Sequence, residues 1–316
     1  MKKKLIVIGY TTDYSMLDIN ALRDEYTVYH VKLPDSLRSI LLRVKNISPK
    51  VFNKLLFIYY RLKLKGINAD YLICDDNLIS LNLLIIFDEN EKFKNIAVVL
   101  RNIIKDTSVL KLLSERNFDI FSFDYDNCLK FGLKFYNQYC SGYDFLINNV
   151  YKEKVEYDFY FLGLDKGRRN ILDGLSTKIG SYRCLIDIKQ RPNVLHKVLR
   201  LHKKNKTYEY VSYNEHLKRI LRSRIIIDIV QQGQSGLTMR ALEAQVAKKK
   251  LITNNIYIKS EEFYNPDNIM VINDGDEINN NDLEVFLSSP FVEIDDHVIA
   301  SYSPRSVYKK MLNDEF

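Results

Sequence analysis

Short β-branched apolar runs alternate along this chain with longer stretches in which apolar positions recur at helical spacing. In the first half the runs fall at 4–9 (Lys-Leu-Ile-Val-Ile-Gly), 26–32, 70–74 (Asp-Tyr-Leu-Ile-Cys), 95–100 (Asn-Ile-Ala-Val-Val-Leu) and 118–123 (Phe-Asp-Ile-Phe-Ser-Phe). Runs of this length read as strands, and the stretches between them predict helices at 15–24, 35–46, 49–65 and 107–116. Ser48 followed by Pro49 is a helix-start signal, because proline fits the first helical turn. The second half repeats the plan. Strands are expected at 157–163, 182–188, 224–230, 250–254 and 268–272, and helices at 168–179, 194–203, 213–222, 236–247 and 279–288. A last helix is expected at 304–314, after Pro304.

Such alternation is the pattern of βα units and predicts an α/β fold with mainly parallel sheets. A chain of 316 residues exceeds one ordinary core and suits two. The polar stretch 148–156 separates the halves. We therefore expect a Rossmann-like domain over 1–147, another over 148–303 and a closing helix over 304–316. The two domains are expected to face each other across a cleft at the carboxyl ends of the strands, where open α/β sheets bind ligands.

Composition changes little: 46% hydrophobic and 28% charged residues are values of a folded globular protein. Cys74, Cys128, Cys140 and Cys184 are scattered without a C-x-x-C pair, which argues against a zinc site or disulfide framework and for a cytoplasmic setting. The apolar run Leu5 to Ile8 is too short for a signal-peptide core, and no stretch approaches the ~20 apolar residues of a membrane span.

Charge matters at one place. The net charge is +7, and no acid occurs from Ser36 to Ala69, where Arg38, Arg43, Lys45, Lys50, Lys54, Arg61, Lys63 and Lys65 interleave with Ile40, Leu41, Leu42, Val51, Phe52, Leu55, Leu56 and Phe57. A basic amphipathic surface suits an anionic membrane face or a lipid-linked acceptor, so peripheral contact through 36–65, at the inner face of the cell membrane, is one expectation. Two ordinary helices with solvated lysines are the plainer alternative. No nucleic-acid recognition motif is present, and nucleic acid is not an expected partner.

The most informative segment is Gln232-Gly-Gln-Ser-Gly-Leu-Thr-Met-Arg-Ala-Leu-Glu-Ala, which follows an apolar run and opens a helix. Gly233 and Gly236 let the backbone approach a ligand closely. Ser235, Thr238 and the N–H groups of the helix start can receive phosphate oxygens, favoured by the helix dipole. Arg240 can neutralise a pyrophosphate, and Glu243, about one turn on, can accept hydrogen bonds from ribose or sugar hydroxyls. This segment resembles the donor-binding motif of GT-B glycosyltransferases. Many families of that fold carry two glutamates eight positions apart. Here the earlier position is Ser235, so the contact made by the first carboxylate is altered or absent.

A second segment, Phe161-Leu-Gly-Leu-Asp-Lys-Gly-Arg-Arg-Asn-Ile-Leu, resembles the opening of the C-terminal domain in the same superfamily. There a strand ends in Gly and a cation in the next loop holds donor phosphates; Lys166, Arg168 and Arg169 match. Three cations at a helix N-terminus oppose its dipole, a cost that an anion relieves. A third, running from Phe121-Ser-Phe-Asp to Phe135-Tyr136, resembles a stretch of capsule and lipopolysaccharide biosynthesis proteins.

The resemblance implies a GT-B glycosyltransferase that needs no cofactor or metal. It would move a sugar from a phosphate-activated donor, a nucleotide sugar, to a growing surface glycan or lipid-linked acceptor. The same resemblance implies that Lys166, Arg168, Gly233, Ser235, Gly236, Thr238 and Arg240 surround the donor phosphates, that Glu243 meets donor hydroxyls, and that the C-terminal helix packs back toward the N-terminal domain. A general base is expected at an N-domain strand end: Asp126 first, then Asp124 and Asp13, with Asp75 and Asp76 as further acids.

Three alternatives stay open. Asp124-Tyr-Asp126 is a D-x-D, the metal-binding signature of the other large glycosyltransferase fold. A transferase using phosphoribosyl pyrophosphate would have similar phosphate-binding parts, and a catalytically silent glycan-binding relative would have lost the earlier glutamate. The histidines (His30, His196, His202, His216, His297) show no metal spacing, and no nucleophile elbow, Walker loop or G-x-G-x-x-G is present, which disfavours hydrolase, P-loop and nicotinamide chemistry.

Overall fold

The computed structural model describes residues 2–77, 81, 84, 95–104, 107, 110, 113, 115–116, 118–190, 209–273 and 279–313. The chain divides into two compact units, Met1–Tyr136 with Tyr308–Phe316, and Asn137–Val307.

The first unit holds β1 (Lys4–Ile8), α1 (Asp13–Glu25), β2 (Thr27–Val31), α2 (Asp35–Ile47), α3 (Pro49–Leu64), β3 (Tyr71–Asp75), β4 (Ile96–Leu100), β5 (Asp119–Ser122), α4 (Tyr125–Phe131) and β6 (Lys134–Phe135). Its sheet runs β2-β1-β3-β4-β5-β6, every pair parallel. Leu5–Ile8 of β1 and Ile96–Leu100 of β4 are buried throughout, as a parallel sheet covered on both faces requires. Ile6, Ile8, Leu72, Cys74 and Val98 form one core with Phe52, Leu56 and Tyr60 of α3. The start signal read at Ser48 is real: its hydroxyl caps α3 through the Val51 N–H, and Pro49 opens the helix.

The second unit continues with α5 (Tyr143–Asn149), β7 (Tyr157–Leu164), α6 (Arg169–Lys178), β8 (Cys184–Lys189), α7 (Tyr213–Leu221), β9 (Ser223–Asp228), α8 (Met239–Val246), β10 (Lys250–Thr253), β11 (Ile269–Val271), α9 (Asn280–Ser288) and α10 (Asp296–Ser301), and α11 (Pro304–Asn313) ends the chain. Its parallel sheet runs β11-β10-β9-β7-β8. Counted from its own first strand the order is the same as in the first sheet, second-first-third-fourth-fifth. Phe159, Phe161, Ile225, Ile227 and Ile252 pack on Leu172 and Leu175 of α6 and Phe286 of α9.

The second unit begins before the polar stretch 148–156 because the preceding segment packs within it. A Cβ on Gly142 would lie 2.7 Å from Leu217 of α7, and Cys140 N–H donates to the Tyr302 carbonyl at 2.9 Å. The end of α11 packs on the first unit: the Tyr308 and Tyr10 hydroxyls meet at 2.5 Å, and Tyr71 Oη donates to the Leu312 carbonyl at 2.7 Å. Helices α4, α5 and α10 and strand β6 went unpredicted, being under eight residues each and too short to show a period. The helix expected at 194–203, and most of that at 107–116, lie outside the described residues. No described helix is long and apolar enough to cross a membrane.

Candidate functional site

In an open sheet of this order the connections leave in opposite directions on either side of the first strand, and the crevice there receives ligands. In the second unit this switch point lies between β7 and β9. Arg240, in the first turn of α8, reaches across it. Nη1 donates to Asp228 Oδ1 at the end of β9 (2.8 Å), Nη2 donates to the Leu162 carbonyl of β7, and the guanidinium lies 4.8 Å over the Phe161 ring. Asp228 also accepts from Thr238 Oγ1 at 2.8 Å, while the same hydroxyl caps α8 by accepting from Ala241 N–H. One buried carboxylate therefore fixes both the start of α8 and its arginine.

A second cation enters beside the first. After β7 the chain turns through Lys166 (φ 44°) and Gly167 (φ 84°), both left-handed, into α6. Glycine adopts that conformation freely and lysine does so at a cost. Arg168 sits at the N-cap of α6, whose first turn has no side-chain cap. Its side chain folds inward and is only 8% exposed. A Cβ on Gly163 would stand 3.0 Å from Arg240 Nη2 and 3.3 Å from Arg168 Nη1, so any larger residue at the end of β7 would crowd both guanidiniums. Nε of Arg168 and Nε of Arg240 are buried and have no hydrogen-bond partner. Burial, then the charge of Arg240, pushes the Arg168 guanidinium down to about 10, with Asp228 and Asp165 acting the other way. Arg169 points elsewhere and pairs with Asp165 at 3.1 Å.

The glycine-bearing loop is braced from behind. Gly233 is left-handed (φ 76°), Ser235 is buried, and Asn255 Nδ2 donates to the carbonyls of Ser235 (3.3 Å) and Gly236 (3.2 Å). Glu243 is turned inward, away from solvent. Its carboxylate accepts from Tyr213 Oη at 2.6 Å and lies 2.9 Å from His216 Nε2, whose Nδ1 meets Tyr160 Oη at 2.8 Å. Burial drives the Glu243 carboxyl up, but the charge and hydrogen bond of His216, with the Tyr213 bond, outweigh it and hold the group below the ordinary carboxylate range.

The structure thus brings Arg168 and Arg240 together at Gly163 and sets Thr238 one residue before α8. It leaves Lys166 exposed on the same βα turn. Thr238 is occupied on both sides of its hydroxyl, and Glu243 is occupied by Tyr213 and His216. The base candidates belong to the first unit. Asp124 is buried and caps α4 through the Asn127 N–H (3.0 Å), Asp126 is exposed in the first turn of α4, and Asp13 is exposed at the start of α1. β1 and β5, which precede them, are separated in the sheet by β3 and β4. Sequence reading missed Asp228, Asn255, Tyr213 and His216. Asp228 did leave a signal, a lone acid inside Ile-Ile-Ile-Asp-Ile-Val, since an acid buried in such a run must be paired.

No protein-family model matches the chain, and no curated protein matches it in sequence. Solved structures match it over nearly its whole length. A glycosyltransferase from Rickettsia africae ESF-5 superposes with a TM-score of 0.59 at 13% identity, covering 99% of this chain and 97% of that one. The lipopolysaccharide outer core galactosyltransferase WaaB gives 0.55 at 11% identity, covering 99% and 100%. The UDP-GlcNAc 2-epimerase of Methanocaldococcus jannaschii, in complex with UDP-GlcNAc and UDP, gives 0.51 at 15% identity, covering 99% and 100%. At these identities the likeness is one of fold: the chain has the GT-B fold, with two Rossmann-like domains, shared by these transferases and epimerases.

Proposed function

We propose that this protein is a glycosyltransferase whose second unit grips the diphosphate of a nucleotide sugar at the β7/β9 switch point. The observation that carries the reading is the pair of buried guanidiniums at Gly163, of which Arg240 is bonded to Asp228 and both keep an unpartnered Nε donor. Two buried cations with one bonded carboxylate between them leave a site that a further anion would stabilise. The uncapped first turn of α6 adds free N–H groups beside it. As the glycosidic bond to the donor breaks, negative charge grows on the leaving phosphate, and cations held in place beforehand stabilise it without reorganising. On this reading the reaction needs no divalent metal. Asp126 of the first unit serves as base, and the acceptor is a growing surface glycan or lipid-linked saccharide. Glu243 acts through α8, as an anchor for the helix that carries Arg240.

Thermal-shift measurements with UDP-, GDP- and CMP-linked sugars and with pyrophosphate, in excess chelator, test the reading. Stabilisation by one nucleotide class, lost in Arg240→Ala, is expected; Arg240→Ala should also lower kcat/KM by roughly a hundredfold or more. A variant within threefold of wild type would remove Arg240 from the site. Isomerisation of UDP-GlcNAc at C2 without any acceptor would replace transfer by epimerisation, the activity named for one structural neighbour.

A further inference from the structure

Helix α3 carries two apolar faces where a surface helix needs one. Phe52, Leu56, Tyr60 and Leu64 point inward and are buried. Val51, Leu55, Ile58 and Leu62 recur at i, i+4, i+7 and i+11, which places them in one stripe on the far side of the helix. They are 49, 42, 44 and 69% exposed. Lys50, Lys54, Arg61 and Lys65 recur at i, i+4, i+11 and i+15 and line the flank of that stripe. At the end of α2, just before α3, Ile47 is 85% exposed. No acid occurs from Ser36 to Ala69, so nothing within the segment neutralises the row. Arg61 and Lys63 lie 5.8 and 5.9 Å over the rings of Phe57 and Tyr59.

We propose that the outer face of α3, with Ile47, docks on an anionic lipid bilayer, the aliphatic stripe entering the interfacial zone and the cationic row meeting headgroup phosphates. The two features require different things of one partner: an apolar phase, and dense negative charge beside it. Nucleic acid offers only the second. A second copy of the same face would set cation row against cation row. The proposal uses no residue of the arginine site and stands apart from the donor reading.

Flotation of the full chain with vesicles of phosphatidylcholine containing about 30% phosphatidylglycerol, against pure phosphatidylcholine, tests it. We expect binding at least about tenfold tighter to the anionic vesicles, weakening with salt. Val51→Ser/Leu55→Ser/Leu62→Ser should lower binding about fivefold or more, and Lys50→Glu/Lys54→Glu more than about tenfold, with melting temperatures unchanged because all five side chains are exposed. Equal flotation of the wild type and both variants, equal affinity for neutral vesicles, or binding to RNA with none to vesicles overturns it. So does a dimer in sedimentation velocity that the triple-serine variant dissolves while vesicle binding is absent. The donor-induced thermal shift, read on the same samples, separates the two proposals: a normal shift without flotation sinks this one alone.

Discussion

Arg168 shows what a buried guanidinium costs the fold that holds it. Its charged form is disfavoured by burial and by Arg240, so its proton is held less tightly in the folded chain than in the unfolded one. For a cation with a lowered folded pKa, the penalty is present in full at neutral pH and fades only as pH rises through about 10. From the ordinary guanidinium range down to about 10, the differential is on the order of 3 kcal/mol, an upper figure since solvent screening reduces it. Arg168→Met should therefore stabilise the ligand-free protein by about 1–2 kcal/mol in urea unfolding while abolishing stabilisation by pyrophosphate or nucleotide sugar. A variant less stable than the parent, with ligand stabilisation intact, would make Arg168 a structural residue and remove the strongest support for the anion site.

At the scale of elements, the start of α8 is held at three points: Thr238 and Arg240 on Asp228, and Glu243 on α7. Asp228→Ala leaves the Arg240 guanidinium buried without its carboxylate and should cost about 3–5 kcal/mol; Asp228→Asn keeps the shape and should cost less. Both should weaken donor binding in isothermal titration, because Arg240 is no longer aimed. Glu243 has the opposite pH signature to Arg168. Its folded pKa is lowered, so its contribution is present above the ordinary carboxylate range and disappears as pH falls through the folded value. Glu243→Gln should flatten the acid limb of the stability–pH curve; an unchanged limb would mean that other carboxylates set it. How much of this was legible follows from the same geometry. β1, β3, β4 and β9 announced themselves because burial on both faces turns them into near-continuous apolar runs, whereas the half-exposed β2 and β8 were read from their place in the alternation. Arg168, Gly233 and Arg240 stood in motifs with a local mechanism. Tyr213 and His216 meet Glu243 across 30 and 27 residues, a distance over which spacing carries no information. That pairing is also why Glu243, read as a ligand contact, is found facing the interior.

At the scale of the whole molecule, two sheets of one strand order carry opposite chemistry at their switch points. In the second unit the crevice after β7 holds arginines. In the first, Asp75 at the end of β3 accepts from the Tyr10 N–H at 3.0 Å and from Asn77 N–H, and packs so tightly on Gly9 that a Cβ there would lie 2.1 Å from its oxygen. A phosphate would be repelled beside that carboxylate. Tyr10 itself is left-handed (φ 52°) and fully buried, a strained position that the surroundings must enforce. The enforcing contact comes from the far end of the chain, where Tyr308 on α11 is fully buried with its hydroxyl 2.5 Å from that of Tyr10. Tyr308→Ala should thus destabilise the first unit by about 3–5 kcal/mol, through lost packing and a buried hydroxyl without its partner. Tyr308→Phe, which removes only the hydroxyl, should cost about 1–3 kcal/mol. Urea unfolding followed by hydrogen exchange can assign the loss to residues 4–8 and 71–75 rather than to β7 and β9. A loss below about 1 kcal/mol for Tyr308→Ala would mean that α11 rests on the first unit without holding it, and that the strain at Tyr10 is borne by Asp75 alone.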